Sequence, residues 1–422
     1  MKPWVRLLPL AVFLFILPFP GTVALRLLSL AVGLIVCAWT WRKEGFPAVP
    51  AKTVLLLWGG CALMSLLGAV DPAYALSEIK NEIGYSMAAY LGFITLTRTR
   101  GDVNFFVIAL VLGNLTLSMF ALRDNLSSNS AYWNEGGLAG GSGTYSTYLL
   151  ALLPVLMWAG YVLPQRRRWA LASGLMVLQL FVALLVEQRA FWLAAALQGL
   201  FALYLLRARG FVTISARRVR AVGVAAVILC ALAIVGATAT RDAVSLTQDP
   251  RVTSWPAVAA RILEHPLIGK GFGRQAMKKA YPDLVSREFP LFTHPHNLFL
   301  NYGLAMGVPG MLAIFLIFFA LLRRFWEMSR AEDRIIAMAG ICGVMLVIGV
   351  VARNLTNDFF QRDLALLFWS IAGMLLGYAQ HAQNAPDASG RRDAPGKQSL
   401  VPTLFIKQDG EFAQRSCNGT NG

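Results

Sequence analysis

Apolar residues in this chain fall in long uninterrupted runs, unlike the alternation of a half-buried strand or the one-sided stripe of a soluble helix. Twelve runs approach the roughly 17–25 residues a helix needs to cross a bilayer. They are Leu7–Phe19, Val23–Trp41, Thr53–Val70, Ile83–Leu96, Val103–Leu122, Thr144–Leu163, Trp169–Val186, Phe191–Leu206, Ala221–Ala239, Val308–Leu322, Ile335–Val351 and Leu364–Ala379. Several are short, so their ends are expected to extend into flanking polar residues. The first resembles a signal peptide, but Phe19-Pro20 is no small-residue cleavage site and a second run follows at once, so it reads as a span. The expected fold is an all-α polytopic membrane protein of about twelve transmembrane helices.

Composition agrees. Of 422 residues, 57% are hydrophobic and 14% charged, against about 45–50% and about 25% in a soluble domain. A soluble enzyme, a disordered chain and a disulfide scaffold are thereby disfavoured. The net charge of +16 would suggest nucleic acid in a soluble protein, so its placement decides. With the N-terminus inside, the cytoplasmic loops hold Arg42, Lys43 and Lys52, then Arg98 and Arg100, then Arg166 to Arg168, the Arg207–Arg220 cluster, and Arg323, Arg324, Arg330 and Arg334. The short loops opposite hold only Lys80, Arg123, Arg189, Arg353 and Arg362. That asymmetry follows the positive-inside rule, and nucleic acid drops out as a partner.

One external segment is long. Thr240–Thr293 carries eight Lys and Arg against five acids. Long loops escape the charge rule, so this basic excess is free to serve function, and its helix and turn signals predict an ordered cap. A smaller external loop, Arg123–Gly143, is rich in Asn, Ser and Gly. The expected organisation is spans one to nine over residues 1–239, a periplasmic loop and following helix over 240–307, spans ten to twelve over 308–379, and a polar, disordered cytoplasmic tail over 380–422. Cys37, Cys61, Cys230 and Cys342 lie in apolar runs and Cys417 in the tail, without metal or disulfide spacing.

Three constellations fall on the external side. His296-Asn297 precedes a run in which Leu300, Gly303, Gly307 and Gly310 follow at steps of three and four. On one helix these share a face with His296, and the glycines would admit a close neighbour. A histidine's unperturbed pKa, about 6.5, suits it to taking a proton from a hydroxyl; spacing alone leaves an interfacial histidine without chemistry equally open. Arg189 and Trp192 sit where one span ends and the next begins, Arg189 as an ionisable group at the membrane edge. A snorkelling Arg189 paired with Glu187 is the plainer alternative. Arg261 projects from a short helix predicted to start at Pro256 and end before Pro266, ahead of the Gly269–Gly273 turn. Lys270 and Arg274 add charge for binding.

Arginine forks hold phosphate oxygens and stay charged. Beside a histidine, they suit attack by a hydroxyl on a lipid-linked sugar phosphate, with the arginines stabilising the departing pyrophosphate. No Asp/Glu cluster stands ready for Mg²⁺, which favours a metal-free mechanism, although Glu187, Asp242 and Glu264 leave a metal route open. A transporter would need ionisable residues at midplane, and of these runs only Val23–Trp41 holds one, Arg26, near its outer end.

The chain resembles the superfamily of O-antigen ligases, O-antigen polymerases and protein O-oligosaccharyltransferases. His296-Asn297, nine residues and Gly307-Val308-Pro309-Gly310 carry the resemblance. Arg189-x-x-Trp192 and the His265-Pro266-Leu267-x-Gly269-x-Gly271-Phe272-Gly273 run behind Arg261 join it, and Gly141-x-Gly143-Thr144-Tyr145 does so more loosely. The ligase branch fits best, with one dominant external loop where polymerases usually have two. The resemblance implies a glycosyltransferase C-like fold, no cofactor and no ATP, and inversion at the anomeric carbon. It further implies His296, Arg189 and Arg261 as catalytic residues, with Trp192, His294, Asn297, Lys270 and Arg274 binding substrate. The implied reaction moves polysaccharide from undecaprenyl pyrophosphate to a hydroxyl of lipid A–core at the periplasmic face of the inner membrane.

Overall fold

A computed structural model describes residues 3–19, 21–127, 142–162, 168–186, 188–215, 217, 250–285 and 293–384. The expected ninth span Ala221–Ala239, most of the Arg123–Gly143 loop, Glu187, the first residues of the long loop and the tail beyond Asn384 lie outside them. So does the side chain of Arg189, although its backbone is described. Residues 380–384, expected in the disordered tail, continue the last described helix.

Every regular element among the described residues is helical. The α-helices are α1 (Pro3–Ile16), α2 (Val23–Glu44), α3 (Lys52–Met64), α4 (Pro72–Glu78), α5 (Tyr85–Leu96), α6 (Arg100–Ser127), α7 (Ser142–Val162), α8 (Arg168–Val186), α9 (Arg189–Ala208), α10 (Pro250–Glu264), α11 (Ala276–Ala280), α12 (Leu298–Ser329), α13 (Arg334–Asn354) and α14 (Arg362–Asn384). A π-helical turn, Ile79–Gly84, joins α4 to α5. Among the described residues seven helices are long and apolar enough to cross a membrane, and α1, α3 and α8 are shorter apolar helices. Side-chain caps start several of them. Asp71 accepts from the Tyr74 amide ahead of α4, and Asp333 accepts from Ile335 and Ile336 ahead of α13, each satisfying amides that a helix start leaves open.

α12, α13 and α14 form the apolar centre, with Trp369, Phe325 and Phe368 fully buried. α9 and α7 pack on α13, and α3 on α12. Leucine and phenylalanine side chains on α3, α8 and α12 stay exposed, including Leu56, Phe181 and Phe315, as expected of surfaces that face lipid. Arg26 is buried near the start of α2, bonded to Asp363 and the Leu17 carbonyl.

Loops that the charge pattern assigns to one side meet each other. At one end Asp71 meets Lys279, Glu78 meets Arg362, and Gln188 meets Arg353. At the other, Arg98 pairs with Glu44, Arg100 reaches the Val162 carbonyl, and Arg209 bonds the carbonyls of Arg330 and Ala331.

Two local expectations are corrected. α10 starts at Pro250, so Pro256 lies inside it. More consequentially, His296 is not on the helix: α12 begins at Leu298, and His296 has φ +49°. The proposed glycine face is also broken, because Gly307 is non-helical at φ +74° and kinks α12. The cause is local. Pro309 has no N–H for the Ala305 carbonyl, and the Val308 amide turns away to the Pro266 carbonyl at 2.7 Å. The freed carbonyls of Leu304 and Ala305 instead accept from Lys270 (3.1 Å) and Gly271 (3.0 Å). The kink is thus a docking strip for the Pro266–Gly271 turn. A side chain at Gly307 would also meet the Pro266 oxygen at 2.5 Å. Gly303 does admit a neighbour, since its Cβ would lie 2.8 Å from Ile262 of α10.

Candidate active site

The His-Asn dipeptide is clamped by the connection between α13 and α14. Asn297 caps α12, its Oδ1 accepting from the Leu300 amide at 3.1 Å, while its Nδ2 donates to the Leu355 carbonyl at 2.8 Å. Both ends of this amide are engaged within the fold. His296, half-buried, donates from Nδ1 to Asn357 Oδ1 at 3.1 Å. That bond places the proton on Nδ1 and leaves Nε2 as the basic nitrogen. The left-handed backbone of His296 is strained for a non-glycine residue. Three non-glycine residues among those described have positive φ, and two of them, His296 and Arg362, are at this end of the bundle. Such strain collects at functional sites.

His294 packs on His296, ring centroids 3.9 Å apart and planes 34° apart. It is buried, and Arg274 donates to its Nε2 at 2.7 Å. Burial, then the neighbouring His296, Arg274 and Arg251, push its pKa down to about 2, so it stays neutral. Trp255 of α10 donates to the Pro295 carbonyl at 2.8 Å and ties α10 to this loop.

Arg274 also lines a cleft of about 260 Å³ with Tyr74, Glu78, Thr144, Phe359, Gln361 and Arg362. Behind Phe359 lies Arg353, fully buried, its guanidinium 5.0 Å from the ring centroid. Arg353 donates to Thr147 Oγ1 (3.2 Å), Ser146 Oγ (3.3 Å) and Gln188 Oε1 (3.2 Å), and its Nη1 has no partner among the described residues. No carboxylate among the described residues pairs with it. Asp358, also buried, has its carboxyl pushed up to about 6 by burial, opposed by Arg274.

The remaining sequence candidates are placed as follows. Arg189 is the first residue of α9, directly after Gln188, so its backbone adjoins the Arg353 network. Trp192 stands edge-on to Phe191 at 5.2 Å and packs on the core. Arg261 is held by Glu264 (2.9 Å) and Asp283 (2.7 Å) and lies over the Tyr281 ring. The bonds to Asp283 and Glu264 raise its pKa and keep it cationic, but they also occupy its fork. Lys270 contributes backbone bonds at the α12 kink. The structure therefore brings His296, His294 and Arg274 together and holds Arg261 on carboxylates. Sequence reasoning missed Asn357, Asp358, Arg353 and Arg251. Arg353 carried a signal, as an ionisable residue at the end of an apolar run. No group of three or more His, Cys, Asp and Glu side chains among the described residues is arranged to hold a metal ion.

A search of curated proteins finds no match to the chain. Residues 174–315, from within α8 to within α12, match the family model described as O-Antigen ligase. Arg189, Arg261, Arg274, His294 and His296 fall in that stretch, which is similar to the O-antigen ligase family over about a third of the chain.

Proposed function

We propose that this protein is an O-antigen ligase. In this reading it transfers polysaccharide from undecaprenyl pyrophosphate to a hydroxyl of lipid A–core at the periplasmic face of the inner membrane, without a metal. The carrying observation is the orientation of His296: Asn357 Oδ1 accepts a hydrogen bond from Nδ1–H, which fits the tautomer whose Nε2 is the basic nitrogen. The acceptor hydroxyl gives its proton to Nε2 as its oxygen attacks the anomeric carbon. The bond from that carbon to the phosphate oxygen breaks, and the pyrophosphate leaves with the electron pair. Arg274 and Arg353 bias the cleft toward this anion, because a unit charge in a poorly solvated site acts strongly. Arg189 and Arg261 would bind the pyrophosphate, Arg261 after giving up a carboxylate. Asn357 is a positioning residue, acting through the imidazole as the third member of a triad does.

The pH profile of transfer tests this assignment. Asn357→Asp places a carboxylate on Nδ1 and favours the protonated ring. Among the described residues the other charged and titratable groups near the pair are His294, Arg274, Arg251 and Asp358, and they are the same in both proteins. The acidic limb of the rate should move to higher pH by about one unit, with activity recovering at alkaline pH. Asn357→Leu should lower the rate roughly 10- to 100-fold without moving that limb. A profile for Asn357→Asp that superimposes on wild type would contradict the role given to this pair.

A further inference from the structure

We infer that α10 lies in the membrane surface, with the flank that ends at Leu263 and Leu267 set against the acyl chains of the leaflet. α10 has three faces. Val258 and Ile262 are buried against α12 in a small cluster with Leu304. Arg261 occupies one flank, held by Glu264 and Asp283. On the other flank, Pro256, Ala259, Ala260 and Leu263 recur at steps of three and four, all exposed and all apolar. Leu267, in the turn just beyond the helix, continues the stripe. Leu263 is 72% exposed and Leu267 74%, a heavy exposure for two leucines beside a charged flank.

The covering partner follows from where the stripe leads. The turn is pinned by backbone bonds between two apolar helices, since Val308 of α12 donates to Pro266 and Val70, just past α3, donates to Lys270 at 3.2 Å. Leu63 near the end of α3, Leu67 in the turn just past it (76% exposed), and Leu312 and Phe315 on α12 beyond the kink are exposed as well. The stripe on α10 is therefore continuous with two surfaces of helices long or apolar enough to face lipid. A helix with a charged flank and an apolar flank belongs at the boundary of headgroups and acyl chains. This arrangement holds whichever reaction the protein performs.

The test uses the whole chain in nanodiscs of phosphatidylethanolamine and phosphatidylglycerol. Nitroxide labels are placed at L263C and L267C, with K278C on α11 as a reference. The chain without an added cysteine, labelled alike, is subtracted. Collision with oxygen reports acyl chains, and collision with an aqueous nickel chelate reports water. The oxygen-to-nickel ratio at L263C and L267C should exceed that at K278C by about threefold or more. Ratios equal to that at K278C would overturn the inference.

Discussion

His296→Asn is expected to lower polysaccharide transfer by about 10²- to 10⁴-fold, the usual worth of a general base, while the protein stays folded. Asparagine suits the position because it tolerates the left-handed backbone that His296 adopts better than alanine does. It has no group that can take a proton near neutral pH. The Asn297 cap, the Leu355 bond and the His294–Arg274 contact do not pass through the imidazole, so thermal unfolding in detergent should change little. Transfer within a few-fold of wild type would remove the general-base role.

Arg353 calls for a different expectation, because its charge is buried and the hydrogen-bond acceptors it meets among the described residues are neutral. Bonds to a charged group contribute about 1.5–3 kcal/mol each. Burying an ion costs several kcal/mol. Three bonds against that cost leave little net stabilisation, and replacing a buried charge with an apolar side chain of similar volume is often neutral. Ser146 and Thr147 keep their bonds to the Gly143 carbonyl in any case. Arg353→Met should therefore keep unfolding stability within about 1 kcal/mol of wild type. Its transfer rate should fall roughly 10- to 100-fold, since the cleft loses a positive charge behind Phe359 and Gln188 loses its anchor ahead of Arg189. Arg353→Ala adds a void and should cost about 2–4 kcal/mol. A Met variant of full activity and lowered stability would make Arg353 purely structural.

What the sequence made legible is what periodicity and local chemistry control. The runs at Val23–Trp41, Val103–Leu122 and Ile335–Val351 correspond to α2, α6 and α13, because a helix of that length needs only a sustained apolar pattern. The loops that meet at each end of the bundle follow the charge asymmetry. His296 and Arg274 were readable from residue type and motif. The kink was half-readable: Pro309 signals it, yet the spacing of Gly307 and Gly310 reads equally well as a packing face, and only the Pro266–Gly271 turn decides between them. Asn297 stands where a helix cap is expected, so its structural use was also within reach. The contacts of Arg353 with Ser146, Thr147 and Gln188 join residues 165 to 207 positions apart, and the His296–Asn357 bond spans 61. No local pattern encodes such pairings, because tertiary packing alone creates them.

The most direct measurement supplies the purified protein with undecaprenyl-pyrophosphate-linked polysaccharide and lipid A–core, in EDTA, and follows the joined product. Time-dependent attachment of polysaccharide to lipid A–core, with release of undecaprenyl pyrophosphate and loss of both in His296→Asn, is the predicted result. Extension of one lipid-linked chain by another, with lipid A–core left unmodified, would contradict it.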